Sequence, residues 1–313
     1  MRSQRRTQST TPIEWPTLAV AVAIYAAFGL LTWHYHDLPW WLILPLGGFV
    51  VAWHGSLQHE VVHGHPTPWA KVNEALIFPS LWLWMPFRVY RESHLRHHTD
   101  ATLTDPIEDP ESFYVTAEQW DRLGPLRRRA LWITNTLTGR LLLGPTHTVW
   151  RLVAAETARL VRGDTGHATA WLLHLAGSVV VLVWVIQVCA VPALEYLALF
   201  AYPGLSLTLL RSFLEHQARE DVGQRTVIVE AGPVMSLLFL NNNLHALHHA
   251  EPRTPWFALP ARYRRRREAL LADNGHYLMR GYGEVLARFL LWPKEPPVHP
   301  DVSAPQPRTV PSR

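Results

Sequence analysis

The sequence predicts an all-α integral membrane protein, with four transmembrane helices and a histidine-rich cap on the cytoplasmic side. Three observations predict it. Uncharged apolar runs long enough to cross a bilayer alternate with polar stretches. Only 17% of the 313 residues are charged, where about 25% is usual for a soluble domain. The arginines and lysines also fall almost entirely on one side of the apolar runs.

The first run, Thr17 to Trp33, carries no charge and approaches the roughly 20 residues that span a bilayer. A short polar turn, residues 34–39, leads to a second run from Trp40 to Trp53 that continues through Gly55 and Leu57 into His59. Trp40 and Trp41 suit a membrane interface. Together these runs read as a helical hairpin.

Ala75 to Phe87 is apolar but short, and Pro79 and Pro86 interrupt it, so it reads as a re-entrant or interfacial segment. The arginine-rich stretch from Arg88 to about Ala168 contains an acidic, proline-broken loop at 104–113. Between Leu126 and Leu160 it fits amphipathic helices on the membrane surface, with Arg127, Arg128 and Arg129 near lipid phosphates; a solvated basic face fits equally well.

Thr169 to Val191 is the clearest span, and Ala193 to Leu210 makes a fourth after a turn at Pro192. Arg262 to Arg267 forms a basic cluster. The predicted organisation is a flexible basic tail at 1–14, one membrane domain at 15–290 and a disordered proline-rich tail at 291–313. No cleavable signal peptide is expected.

The charge pattern orients this bundle. The loops at 34–39 and 191–193 hold no arginine or lysine, so the positive-inside rule puts the tail, the 54–168 region and the chain after 211 in the cytoplasm. Arginine patches set between apolar runs fit membrane topology, not nucleic-acid binding.

The chain has 18 histidines and one cysteine, Cys189. That excludes an intrachain disulfide and a thiolate metal site. Eight histidines fall in three clusters: HEVVH with His59 and His63, HLRHH with His94, His97 and His98, and HALHH with His245, His248 and His249. At i, i+3 and i+4, imidazoles on a helix are expected to point one way. Neutral imidazole binds Zn, Fe, Cu and Ni. Eight such ligands are too many for one ion and suit two. A redox-active pair beside a membrane points to iron and dioxygen chemistry, which zinc cannot supply.

The order HxxxH, then HxxHH, then two spans, then HxxHH resembles the integral-membrane fatty acid desaturase family across roughly residues 17–285. The resemblance implies a four-helix membrane stem, a cytoplasmic cap, and two Fe ions held by one histidine more than the boxes contain. It also implies a lipid or fatty acyl substrate and electrons from a ferredoxin or a b-type cytochrome with its reductase. His216, in RSFLEH just beyond the fourth span, matches the family's additional histidine; His54 and His65 are weaker candidates. The family also uses an asparagine near its metals, but nothing in the sequence chooses among Asn241, Asn242 and Asn243, which equally suit a helix cap.

Glu60 and Glu215 adjoin the candidate ligands and are candidates to orient imidazoles, with a surface or helix-capping role as the alternative; Asp100, Asp105 and Asp109 after the second box are further candidates. Trp82 and Trp84 suit an acyl channel or an interfacial anchor. His34, His36, His147, His167, His174, His276 and His299 stand alone and read as structural or exposed.

The implied activity is O2-dependent desaturation of a fatty acyl chain. Hydroxylation or ketolation of a lipid or carotenoid shares the same boxes. HEVVH is also the zinc-metalloprotease signature, with Glu60 as general base, but that reading leaves the other two boxes without a role. A non-catalytic metal transporter would need ionisable groups within the spans, where there are few.

Overall fold

The computed structural model describes residues 13–300, apart from the Asp100 side chain. The expectations for residues 1–12 and 301–313 therefore lie outside the described residues. The chain is 67% helical. Its sheet among the described residues is one parallel pair, β1 (Ile228–Val229) with β2 (Leu278–Met279).

Four helices are long and apolar enough to cross a membrane: α1 (Trp15–Trp33), α2 (Trp40–Val62), α8 (Ala168–Val188) and α9 (Ala193–Glu215). The last two start and end within a few residues of the runs read from the sequence. The α2 and α9 windows are 56% buried, against 39% for α1 and 28% for α8. The inner pair therefore forms the spine and the outer pair presents more surface to lipid. Glycine sets the approach of the inner pair. A Cβ on Gly204 of α9 would lie 2.5 Å from Val51 Cγ1 of α2, and one on Gly48 would lie 2.8 Å from Pro203. Small residues at such contacts replace the hydrophobic driving force that is missing in lipid.

At one end of the bundle the two hairpin turns meet. The Tyr35 hydroxyl donates to Glu195, and His36 Nε2 lies 3.2 Å from the Cys189 carbonyl. The other end carries the cap: α3 (Ala70–Leu76), α4 (Phe87–His97), α5 (Ala117–Arg122), α6 (Pro125–Thr134), α7 (Leu137–Val161), α10 (Pro233–Leu238), α11 (His245–Ala250), α12 (Leu259–Asp273) and α13 (Tyr282–Phe289). The hydrophobic core runs from the bundle into this cap through Trp82, Leu81 and Leu240.

The proline-broken segment after α3 is not helical. It is packed among the spans, where the Tyr196 hydroxyl donates to the Leu81 carbonyl at 2.5 Å and the Tyr25 hydroxyl to that of Pro79 at 3.4 Å. Irregular backbone inside an apolar bundle needs such internal partners. In the arginine-rich stretch, Arg127 and Arg129 are exposed, while Arg128 turns back to the Trp120 carbonyl at 3.0 Å.

One boundary differs from expectation. The sequence predicts disorder from 291, yet residues 294–299 are packed against the cap. The Lys294 amine donates to the His216 carbonyl, Glu295 accepts from the Ala218 amide at 3.1 Å, and Val298 pairs with Val115. Proline frequency masks these anchors: hydrogen bonds from the cap hold a segment that has no regular structure of its own.

Candidate metal centre

α2 delivers the first histidines at its end facing the cap. His59 lies in its last turn and His63 is its C-cap. α4 contributes His94 and His97 from its last turn and His98 as its C-cap. α9 ends at Glu215, and His216 follows in extended backbone, bridged to Thr226. α11 is only six residues long and begins at His245. It is reached through a tight turn in which Leu240 and Asn241 take positive φ.

These nine histidines converge into two groups: His59, His63, His94, His98 and His248, and His97, His216, His245 and His249. Within each group the candidate ligand atoms all lie within 4.8 Å of one another. The groups adjoin through His98 and His249, whose rings stack at 4.2 Å between centroids.

The expectation that each HxxHH box aims its three imidazoles one way is corrected here. In HLRHH the i and i+4 rings, His94 and His98, enter the first group and His97 enters the second. In HALHH the arrangement is reversed: His245 and His249 enter the second and His248 the first. Residues four apart are 40° apart around a helix, while the i+3 residue leans to the other flank. A short helix wedged between two sites therefore serves both.

Nitrogen separations test whether a metal fits. Nε2 of His98 lies 3.0 Å from that of His94 and 3.2 Å from that of His248. Nε2 of His216 lies 2.9 Å from that of His97 and 3.0 Å from that of His245. Metal–imidazole bonds of roughly 2.0–2.1 Å at right angles give about 3.0 Å between neighbouring nitrogens. The buried His63 Nε2 has no hydrogen-bond partner. The donor set, all imidazole and directed inward, fits transition-metal ions.

The outward nitrogens are held by acceptors. His97 Nδ1 donates to Asp109 at 2.9 Å, and His94 Nδ1 to Glu111 at 3.2 Å. His245 Nδ1 lies 3.2 Å from Asn242 Oδ1 and 3.3 Å from Glu215, which is ion-paired with Arg211 at 2.7 Å. Such contacts fix the tautomer that leaves Nε2 free to bind a metal. Asn242 Nδ2 also lies 3.3 Å from His59 Nε2. Asn241 instead donates to the Trp256 carbonyl and Asn243 to that of Val229, and no asparagine caps α11.

The electrostatics follow from burial. Burial lowers the His63 pKa to about 2, with His94 adding to the shift. Burial, then neighbouring imidazoles, also hold His98, His216, His245 and His248 below the usual range. These rings are neutral, the form that binds metal. His97 is the exception: burial lowers it, but Glu111 and Asp109 outweigh burial and raise it to about 9. Glu111 is pushed up by burial and pulled down further by His94 and His97, to about 2.

Other candidates lie elsewhere. His54 sits 3.1 Å from the Tyr25 hydroxyl and His65 2.5 Å from Glu14, outside both groups. The seven isolated histidines are also outside them. Glu60 accepts from the Trp256 amide at 3.1 Å and not from a box imidazole. Asp105 closes its own turn by accepting from Ile107 and Glu108. Trp82 is buried against Gly55 and beside Tyr90. Sequence reasoning missed Glu111 and Arg211; the acidic loop after HLRHH was the available signal for Glu111, and nothing local marked Arg211.

Comparison with known proteins gives one family match. The model described as fatty acid desaturase matches residues 36–281, most of the chain and all three boxes. A search of curated proteins finds no match.

Proposed function

The chain belongs to the fatty acid desaturase family, and on that premise we propose that it is an O2-dependent membrane oxidoreductase that desaturates a fatty acyl chain. The observation that carries this reading is the meeting of nine histidines in two adjoining groups where α2 and α9 enter the cap. These nine, His59, His63, His94, His98 and His248 with His97, His216, His245 and His249, are the metal ligands in this reading. When bound, two iron ions would supply the redox chemistry that activates O2 against an unactivated C–H bond.

The chain's own residues do the rest. Asp109, Glu111 and Glu215 face Nδ1 of His97, His94 and His245 and so turn the other ring nitrogen of each toward the groups. Leu81, Trp82 and Leu240 are buried in the hydrophobic cluster that runs from the spans into the cap. In the overall reaction two hydrogens leave adjacent methylenes, an external donor supplies two electrons, two protons are taken up, and O2 leaves as two waters. The donor is of the ferredoxin or b-type cytochrome kind. The arginine-free turns at the far end of the bundle support a cytoplasmic cap.

The test is expression in a host of simple lipid composition, followed by mass spectrometry of total lipids. Loss of two hydrogens from an acyl chain is expected. Gain of an oxygen would move the assignment to a hydroxylase or ketolase, and an unchanged lipid profile with an active electron donor present would oppose both.

A further inference from the structure

A narrow cavity with about 40 Å³ of free space lies between α2, the segment after α3, the start of α4 and α8. Phe78, Phe87 and Leu173 give it apolar walls. At its exposed end Arg88 grips Glu74 through two contacts, the shorter 2.6 Å. At its inner end sits Gln58, 0% exposed. The Gln58 amide donates to Ser80 Oγ at 3.0 Å, and its Oε1 has no partner. His174 also lines the cavity, but its Nε2 is within 3.2 Å of the Leu83 carbonyl.

An unmade hydrogen bond on a fully buried amide is costly and calls for an explanation. Gln58 immediately precedes His59 on α2; its side chain leaves a neighbouring face of the helix, and none of the nine grouped histidines lines the cavity. Phe78 and Leu173 are 46% and 41% exposed, which opens the other end toward lipid.

We infer that this cavity receives the hydroxyl of an oxygenated lipid, and that Gln58 is the residue that recognises it. The inference rests on the lipid-oxidising function proposed above and narrows its substrate class. A hydroxyl donates to Oε1 as the amide stands. With the amide turned over, Oε1 accepts from Ser80, and the hydroxyl oxygen accepts from Nε2 instead. A hydroxyl therefore satisfies Gln58 in either orientation, an ether or ketone in only one, and a hydrocarbon in neither. The space holds a hydroxyl and the carbon bearing it; the rest of the ligand lies along Phe78 and Leu173. A water is the rival occupant, since Gln58 and Ser80 give it two of the two to four partners that a buried water makes; the titration below decides between the two.

The test reads binding, not turnover. The full chain in nanodiscs is titrated with a long-chain fatty alcohol, its methyl ether and the hydrocarbon of equal length, compared at equal mole fraction in the bilayer. The alcohol should bind about tenfold more tightly than the hydrocarbon, with the ether closer to the hydrocarbon. Gln58→Leu should abolish the preference, while Ser80→Ala, which leaves Gln58 in place, should keep it. Equal binding of all three probes to the unaltered chain means the cavity holds water only and overturns the inference, whether or not any variant folds. An unchanged preference in a folded Gln58→Leu protein overturns it as well. Failure of the proposed function would show instead as unchanged lipids in the expression host, a separate readout.

Discussion

The Asp109 carboxylate lies 2.9 Å from Nδ1 of His97, and both side chains are almost wholly buried. The same carboxylate accepts from the backbone amides of Thr104 and Glu111, each at 2.9 Å. One acidic side chain therefore closes the loop after α4 and orients a histidine of the second group. Asp109→Asn keeps one acceptor and turns an NH2 toward a donor. Removing such a partner typically weakens metal retention about ten- to a hundredfold, and breaking a buried pair costs about 3 kcal/mol. Iron content after a chelator challenge and the thermal midpoint should both fall. Glu111→Gln should be milder, because Glu111 is 31% exposed and lies farther from its histidine, at 3.2 Å. Equal losses in the two variants would contradict the role given to Asp109.

The crossed assignment of the two HxxHH boxes has its own signature. His248 and His63 belong to the first group, and His245 and His216 to the second. Purified protein should carry close to two irons. His248→Ala and His63→Ala should each leave about one, and so should His245→Ala and His216→Ala, from the other group. All four should abolish lipid oxidation. Metal analysis with a spectroscopic probe of the remaining iron distinguishes the two pairs. Identical spectra from His248→Ala and His245→Ala would argue against two separable sites, and stoichiometric zinc with no iron would remove the di-iron reading.

Glu60 separates the oxidoreductase from a zinc protease. Its carboxylate accepts from the Trp256 amide at 3.1 Å, which ties the segment before α12 to the end of α2. Glu60→Gln retains a carbonyl oxygen for that bond. The expected cost is about 1 kcal/mol of stability, with lipid oxidation kept within about tenfold of the unaltered chain, since the ligands stay in place. A protease would lose its general base and nearly all turnover.

The spans and the clustering of the box histidines were legible because each rests on a local pattern: uninterrupted apolar length for the helices, and i, i+3, i+4 spacing for the histidines. His216 needed the family pattern, because one histidine after a span carries no periodic signal. What spacing alone did not give is the division of each box between two groups. Helical geometry puts the i+3 ring on a different flank, but which flank meets which partner depends on how α4 and α11 pack. Asn242 was indistinguishable from Asn241 and Asn243 for a similar reason: a turn with two positive-φ residues, not a helix, decides which amide reaches His59 and His245. Lys294 and Glu295 were hidden by composition, since proline-rich sequence reads as disorder until its anchors are seen.

The spacing of α2 and α9 yields the last prediction. α2 carries His59 and His63, and α9 leads directly into His216, so the distance between these helices sets the distance between histidines of the two groups. Gly204 marks a close approach: an added Cβ would lie 2.5 Å from Val51 Cγ1 and 2.6 Å from Val51 Cβ. Val51 is fully buried, and its branched side chain cannot swing aside within the bundle. Gly204→Leu must push the helices apart, with an overpacking cost of about 3 kcal/mol and His216 displaced from His97 and His245. Gly29 on α1 is the control, because a Cβ there meets nothing within 4 Å; Gly29→Leu should change stability by no more than about 0.5 kcal/mol. Thermal unfolding in detergent and iron content measured on the same preparations check both. Gly204→Leu should unfold at lower temperature and lose iron from the second group first, whereas Gly29→Leu should match the unaltered chain. If Gly204→Leu kept its iron and its thermal midpoint, the α2–α9 contact would not be what positions the two groups.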